Sequence, residues 1–272
     1  MIKIMITCRN RLAVTKKCIE AVKRHTTTPF QLYVYDNNTN FLIKEHFEYW
    51  RSLYEEKILT QLVVTTEQST FNAFSKAAAN NFFGQQHQSD PDKDKYDFLV
   101  LLDNDIFLLP QWDAHIKQAW THVYKNRIEN IKVIGQLPGG IKDLKDKIFV
   151  GKELDGVVGS LGGSAFWTVR NNFFSDIGFL NLKNLVGCVK RHDQEYWGLL
   201  GQKTNGKPYI LGLKAKLAIH CGPISGSVCN VLTTNRKNPN KEELIKFEKY
   251  EERIDKMTFE EFFEEVKNYT GW

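Results

Sequence analysis

Two carboxylates follow a strongly apolar segment near the middle of the chain. Residues 98–102 read Phe-Leu-Val-Leu-Leu, and Asp103 and Asp105 come directly after them. Ligands of open α/β sheets bind at the carboxyl ends of the strands. Two aspartates there can converge on a hard divalent cation such as Mg²⁺ or Mn²⁺, which prefers oxygen ligands. Because such a cation neutralises a diphosphate, the pattern favours a nucleotide-sugar site, with a turn-capping aspartate as the simpler alternative.

Two further side chains stand at the ends of predicted strands. Asp36 ends the second strand, where its carboxylate could accept a hydrogen bond from a nucleobase. The sequence Asp-Asn-Asn-Thr that it opens also favours an Asx turn, which is the simpler interpretation. His220 follows a short apolar strand at 217–219 and is either a structural residue or a third metal ligand.

The segment 191–197, Arg-His-Asp-Gln-Glu-Tyr-Trp, is predicted to open a helix. Acidic residues are common in a first helical turn because they complement the helix dipole. A carboxylate placed there could instead act as a general base toward an acceptor hydroxyl. The densest basic region of the chain surrounds this segment and could bind phosphate or form a solvated face: Lys183, Lys190, Arg191, Lys203, Lys207, Lys214 and Lys216.

The elements that position these residues alternate regularly. Strand patterns occupy 2–7, 32–35, 62–65 and 98–102, and helical patterns occupy 10–25, 41–54 and 71–83. This order predicts an α/β fold with a Rossmann-like, mostly parallel, doubly wound sheet and right-handed crossovers. The polar run 85–95 is predicted to be an exposed loop.

The second half of the chain has a different pattern. A helix is predicted at 112–125, a strand at 132–136 and a charged amphipathic helix pair at 241–269. The packing side of that pair is predicted to consist of Leu244, Phe247, Ile254, Phe259, Phe262 and Phe263.

Composition limits the class of protein. The 272 residues are 42% hydrophobic and 25% charged, as in ordinary globular domains. No apolar run approaches the ~20 residues that span a bilayer, and the first residues do not resemble a signal peptide. The five cysteines are odd in number and show no CxxC spacing, which favours reduced thiols over disulfides or zinc ligands. We therefore expect a cytoplasmic protein without a transmembrane segment.

Charge is distributed unevenly along the chain. Residues 241–272 contain six basic and ten acidic side chains and therefore have a net charge of −4. Because the whole chain has a formal net charge of +5, the other 240 residues have a net charge of +9. A basic body favours an anionic partner such as a nucleotide diphosphate, a lipid phosphate or nucleic acid, although solubility alone also explains it.

Taken in order, these segments resemble family 2-type glycosyltransferases of the GT-A fold. Residues 4–11 are similar to that family's first strand and Thr-x-x-Asn-Arg loop, and 34–39 to its nucleotide-binding segment. Residues 101–106 resemble its D-x-D segment. Residues 162–170 and 177–180 resemble its acceptor-side strand and turn, and 218–220 its late metal-binding histidine. The resemblance covers about residues 2–222 and departs from the family at His192, which replaces a glutamate, and at 67–80, which contains extra residues.

The resemblance implies a role for each matching residue. Asp193 is the implied general base of an inverting transfer, and Gly163, His192 and Trp197 lie on the acceptor side. The implied ligands of Mn²⁺ or Mg²⁺ are Asp103, Asp105 and His220. The implied nucleotide-sugar contacts are Thr7, Asn10, Arg11, Asp36, Asp103 and Asn104.

It also implies a domain division: a GT-A domain over 1–235, with a nucleotide-sugar half at 1–110 and an acceptor half at 111–235. A C-terminal helical extension at 236–272 follows, for which the family has no counterpart.

The sequence therefore predicts a metal-dependent, inverting hexosyl- or pentosyltransferase that uses a nucleotide-sugar donor. The acceptor is a glycan or lipid-linked glycan, with a protein or a hydroxylated base in DNA as alternatives; no helix-turn-helix or zinc motif supports DNA. A non-catalytic binding protein on a degenerate GT-A fold is expected to lack Asp103, Asp105 or Asp193, and all three are present. A nucleotidyltransferase usually has a glycine-rich loop after its first strand, and residues 7–11 contain no glycine.

Overall fold

The computed structural model describes most of the chain in separate stretches. These are residues 1–37, 39, 42–65, 72–136, 146–149, 155–159, 165–182, 192–207, 209–221 and 241–268. Only the backbone is described at 72–75, 146–149, 155, 157–159, 192–195, 197, 241 and 243.

Eleven strands and eight helices form in these stretches. The strands are β1 (Ile2–Cys8), β2 (Phe30–Asn37), β3 (Leu59–Thr65), β4 (Phe98–Asp103), β5 (Ile106–Leu108), β6 (Val133–Gln136), β7 (Asp146–Phe149), β8 (Asp155–Gly159), β9 (Phe166–Val169), β10 (Ile210–Leu213) and β11 (Ala218–His220). The helices are α1 (Leu12–His25), α2 (Ile43–Glu55), α3 (Asn72–Gln88), α4 (Trp112–Lys125), α5 (Phe173–Ile177), α6 (His192–Lys203), α7 (Lys241–Lys256) and α8 (Phe259–Lys267).

Nine strands form one sheet in the order β3-β2-β1-β4-β9-β6-β10-β8-β7, and β5 pairs with β11 in a separate small sheet. Strands β3, β2, β1 and β4 are mutually parallel, which confirms the predicted Rossmann-like half. The antiparallel β9 lies between β4 and β6, so the parallel order is interrupted in the second half of the chain. This strand is short, and its four residues are all aromatic or β-branched, a pattern that did not reveal strand direction.

Helices cover both faces of the large sheet because alternate strand residues face opposite layers. On one face, Ile4 and Val100 lie in a core with Trp50 of α2 and Trp112 of α4. On the other face, the core contains Met5, Leu99 and Leu101 together with three aromatic side chains of the helices: Phe83, Phe174 and Tyr196. The predicted doubly wound arrangement is thereby confirmed.

The predicted exposed loop at 85–95 is wrong in part. Helix α3 continues to Gln88, and a 3₁₀ turn forms at Lys93–Lys95. Within this run Asp90 accepts a hydrogen bond of 2.6 Å from Lys3, whose side chain is only 1% exposed. Lys3 also lies over the rings of Tyr33 and Tyr96. The polar run supplies the counter-ion of a buried lysine, which its composition did not indicate.

The C-terminal helices pack on the body of the protein. Ile254, Phe262 and Val266 share a core with Val14 of α1 and Phe107 of β5. Of the predicted packing side, Phe247, Ile254, Phe259 and Phe262 are buried, and Leu244 and Phe263 are half-buried. Cys8, Cys18 and Cys221 are buried free thiols. In the part of the chain that the structure describes, none of the helices is both long and apolar enough to cross a bilayer.

Candidate active site at the carboxyl edge of the sheet

The parallel strands bring three predicted site residues to one edge. Cys8 at the end of β1 is in register with Asp36, and Thr7 is in register with Asp103. Thr7, Asp36 and Asp103 therefore lie side by side at the carboxyl ends of β1, β2 and β4, where open α/β sheets bind ligands. The Thr7 hydroxyl is buried and has no hydrogen-bond partner in the described part of the chain.

Arg11 joins the loop after β1 to the loop after β4. Asn10 and Arg11 both have left-handed backbone, with φ of 54° and 53°, and Arg11 directly precedes α1. The Arg11 guanidinium donates to Asp105 Oδ2 at 2.6 Å and to Asn104 Oδ1 at 2.9 Å. Asn104 in turn donates to Thr15 Oγ1 at 2.7 Å, and Thr15 donates back to the Arg11 carbonyl. This closed network fixes Asn104 and Asp105 relative to the start of α1.

The small sheet brings His220 to the same carboxylate. Pairing of β5 with β11 places His220 opposite Ile106, and its Nε2 lies 3.2 Å from Asp105 Oδ2. Burial by itself raises the pKa of Asp105, but Arg11 and His220 outweigh it and hold that pKa well below its usual value. Burial lowers the pKa of His220, whereas the Asp105 carboxylate raises it, with a net increase. Asp105 is therefore a buried carboxylate that stays ionised.

Asp103 has a different partner. Its Oδ1 lies 2.6 Å from the Lys76 ammonium of α3, whose side chain is buried. The two aspartates of the D-x-D segment are thus each neutralised by a separate basic residue, Lys76 for Asp103 and Arg11 for Asp105.

Asp36 forms the turn that its sequence favours. Its Oδ1 accepts from the backbone N–H and the hydroxyl of Thr39, and its Oδ2 accepts from Trp50 Nε1 at 3.3 Å. Thr39 also accepts from the Asn10 N–H at 3.1 Å, which ties this turn to the loop after β1. The carboxylate is buried at the sheet edge, and its contact with a nucleobase stays a prediction.

The acceptor-side residues are described less completely. His192 and Asp193 are the first two residues of α6, and Trp197 lies in the same helix, but the side chains of all three are outside the described part. Gly163, Lys183, Lys190 and Arg191 lie wholly outside it. Of the predicted basic region, Lys203, Lys207, Lys214 and Lys216 are exposed.

Comparisons with solved structures identify the architecture. Mannosyltransferase PcManGT from Pyrobaculum calidifontis, in complex with GDP-Man and Mn²⁺, matches 93% of this chain with a TM-score of 0.53 and 10% identity. GalNAc-T7 with UDP, GalNAc and Mn²⁺ matches 100% of it with a TM-score of 0.56 and 12% identity. This chain has the GT-A fold. The predicted fold class is confirmed. At sequence identities of 10% and 12%, the similarity supports the fold alone.

A third GT-A structure, S. aureus TarS, matches 90% of this chain with a TM-score of 0.50 and 12% identity. The chain spans 69% of PcManGT, 58% of GalNAc-T7 and 41% of TarS. No protein-family model matches the sequence, and no curated protein matches it significantly.

The GT-A edge offers donors that suit a hard divalent cation. Asp103, Asp105 and His220 carry carboxylate and imidazole groups, which Mn²⁺ accepts as ligands. Asp105 Oδ1 is buried and accepts no hydrogen bond among the described residues, so one ionised oxygen is available. The three side chains do not converge, and no group of three acidic, histidine or cysteine side chains does so in the described stretches. The chemical types of these three side chains suit Mn²⁺ or Mg²⁺. Lys76 pairs with the Asp103 carboxylate and competes with the ion for it.

Lys76 is the site residue that sequence reasoning missed. It is the single lysine of α3, in a helix otherwise rich in alanine, asparagine and phenylalanine. The available signal in the sequence was this single lysine in a helix of mostly uncharged residues. In the folded chain, α3 places it beside Asp103 at the carboxyl ends of the strands.

Proposed function

We propose that this chain is a metal-dependent glycosyltransferase that moves a sugar from a nucleotide-sugar donor to a hydroxyl acceptor with inversion. The observation that carries the proposal is the buried, ionised Asp105 at the carboxyl edge of a GT-A sheet, between Arg11 and His220. Two structures of similar fold are complexes with Mn²⁺ and a nucleotide or nucleotide sugar, which supports the same ligand classes here.

The loops after β1, β2 and β4 form the donor side in this proposal. Asp36 contacts the base, while Thr7, Asn10, Arg11 and Asn104 line the nucleotide. Asp103, Asp105 and His220 are the residues that would hold Mn²⁺ or Mg²⁺. When bound, the ion supplies positive charge to the leaving diphosphate.

The acceptor side lies at the start of α6. Asp193 is proposed as the general base that takes the proton of the acceptor hydroxyl, opposite the departing diphosphate. Gly163, His192 and Trp197 are proposed to line the acceptor. The proposed acceptor is a glycan or lipid-linked glycan, and a hydroxylated DNA base is the alternative that the basic body of the chain supports.

The proposed organisation follows the same division. Residues 1–110 form the donor half, 111–235 the acceptor half, and 236–272 a helical extension. We also propose a cytoplasmic location, which the buried free thiols Cys8, Cys18 and Cys221 support.

A donor screen tests the function. Nucleotide release is followed from a panel of UDP- and GDP-sugars with Mn²⁺, for the wild type, Asp105→Asn and Asp97→Asn. Asp97 is the matched control because it pairs with the N-terminus and Lys117 just before β4, at the opposite edge of the sheet. We expect turnover of one donor that requires Mn²⁺, is lost in Asp105→Asn and persists in Asp97→Asn.

Failure of the wild type to bind or turn over any donor contradicts the proposal and favours a non-catalytic GT-A protein. The base is tested separately: Asp193→Asn is expected to bind the donor with unchanged affinity and to lose transfer. If Asp193→Asn retains transfer, the assignment of the base is wrong.

A further inference from the structure

A cavity of about 490 Å³ lies between the C-terminal helix α7, the first turns of α1 and the start of α2. None of the proposed donor or metal residues lines it. Its volume is in the range of small-molecule sites in proteins. The cavity is therefore a separate candidate site, whose assignment does not rest on the proposed glycosyltransferase function.

The lining is strongly acidic. Among the described residues that line it, the basic side chains are Lys16 and Lys249, and Lys16 is paired with Asp255 at 2.8 Å. The described part of the lining has five carboxyl groups: Glu45, Glu248, Glu251, Glu252 and Asp255. The excess of acidic groups favours a cationic occupant.

Glu251 is the buried polar group of this cavity. Its side chain is 4% exposed, and its Oε2 accepts a hydrogen bond of 2.8 Å from the Ala13 N–H. Its Oε1 is buried and accepts no hydrogen bond in the described part of the chain. A buried acceptor without a partner is costly and rare in native proteins, so it calls for a donor that the chain itself does not supply.

The rest of the lining is apolar. Leu12, Ala13 and Leu42 form one side, and Ile245 of α7, 40% exposed, forms the other. Acidic groups spread along an apolar wall match a flexible chain of methylenes that carries several separated positive charges. A metal ion instead needs converging oxygens, and no three acidic, histidine or cysteine side chains converge among the described residues.

We propose that this cavity binds an aliphatic di- or polyamine. One ammonium group donates to Glu251 Oε1, the methylenes lie on Leu12, Leu42 and Ile245, and the remaining ammonium groups face Glu248 and Glu252. The contacts along the chain combine apolar burial with charge-assisted hydrogen bonds.

Calorimetric titration of the full chain with spermidine at pH 8, above the folded-state pKa of Glu251 of about 7, tests the proposal. At about 150 mM NaCl, where exposed charges are largely screened, we expect saturable binding of one spermidine per chain. Glu251→Gln is expected to weaken that binding at least about tenfold, as for a lost charge-assisted contact. The matched control is Glu48→Gln on α2, which removes the same charge from an exposed residue that does not line the cavity. It is expected to change affinity less than about twofold.

A second variant tests the cavity independently, in case Glu251→Gln does not fold. Ile245→Trp adds bulk at a partly exposed position, so it is expected to fold and to lose spermidine binding by filling the cavity. Three results overturn the proposal: no saturable binding, equal weakening by Glu251→Gln and Glu48→Gln, or Mg²⁺ displacing spermidine at equal concentration. The second result indicates diffuse attraction to an acidic surface, and the third indicates a metal site.

Discussion

Arg11 and Asp105 lie 94 positions apart in the sequence, and their side chains meet at 2.6 Å. The contact joins the loop that opens α1 to the segment that follows β4. Because both side chains are largely buried, the pair sets the position of the D-x-D segment and keeps the Asp105 carboxylate ionised. The ionised state of this carboxylate in the proposed site thus depends on a residue of the first loop.

Replacement of Arg11 by Met is expected to destabilise the protein by about 3–5 kcal/mol, because it leaves Asp105 buried without its main cation. Urea unfolding at pH 8 measures the change. Arg51→Met is the control, since Arg51 and Glu55 form an exposed pair that contributes less than about 1 kcal/mol. In the double variant with Asp105→Asn, most of the loss is expected to disappear. A loss that is unchanged in the double variant contradicts the coupling.

Replacement of Lys76 by Met is expected to tighten Mn²⁺ binding about tenfold, since it removes a positive charge that is 2.6 Å from Asp103. Electron paramagnetic resonance of free Mn²⁺ measures affinity without a turnover assay. Lys117→Met serves as the control, because Lys117 pairs with Asp97 before β4. If Lys76→Met binds Mn²⁺ more weakly than the wild type, Lys76 is not a competitor of the ion.

Lys3 and Asp90 form a buried ion pair, and we expect substitutions of the two residues to lower the free energy of unfolding by unequal amounts. Burial raises the pKa of Asp90, but hydrogen bonds from Lys3, Asp92 N–H and Tyr96 lower it overall. Asp90→Asn leaves the Lys3 ammonium buried without a counter-ion and is expected to cost about 3–5 kcal/mol. Lys3→Met removes the charge itself and is expected to cost markedly less. Equal losses of unfolding free energy in the two variants would show that the charge is not the cause.

Glu251 predicts a dependence of stability on pH. Burial raises its pKa to about 7 in the folded state, despite the Ala13 N–H and Arg11, which lower it. The folded state therefore binds the proton more tightly than the unfolded state. Protonated Glu251 therefore contributes to the free energy of unfolding, and this contribution is complete below pH ~4.5. It is lost as pH rises through about 7, and the total loss is about 3 kcal/mol.

Urea unfolding of the wild type and Glu251→Gln between pH 4 and 8 measures this effect. The variant has no carboxyl group to titrate, so it is expected to gain stability relative to the wild type by about 3 kcal/mol across that range. Glu56→Gln, at an exposed pair with Lys23, controls for the loss of one charge. Parallel pH profiles for the wild type and Glu251→Gln are incompatible with a raised pKa.

Local patterns were sufficient for some of the elements. The limits of β1, β4 and α4 were predicted closely, because each element has a local sequence pattern. These patterns are alternating apolar residues in β1, an apolar run in β4 and a helical period in α4. The placement of Thr7, Asp36 and Asp103 at one edge also followed from the sequence, because parallel strands end at the same side of a sheet.

The partners of those residues were decided by the tertiary structure. Lys76 reaches Asp103 only because α3 packs across the sheet, and Glu251 lies buried only because α7 packs on α1. The antiparallel insertion of β9 between β4 and β6 likewise depends on pairing between distant segments. A local pattern fixes the period and one face of an element. Which charged groups meet, and which carboxyl oxygen is left without a donor, is decided by how those faces pack together.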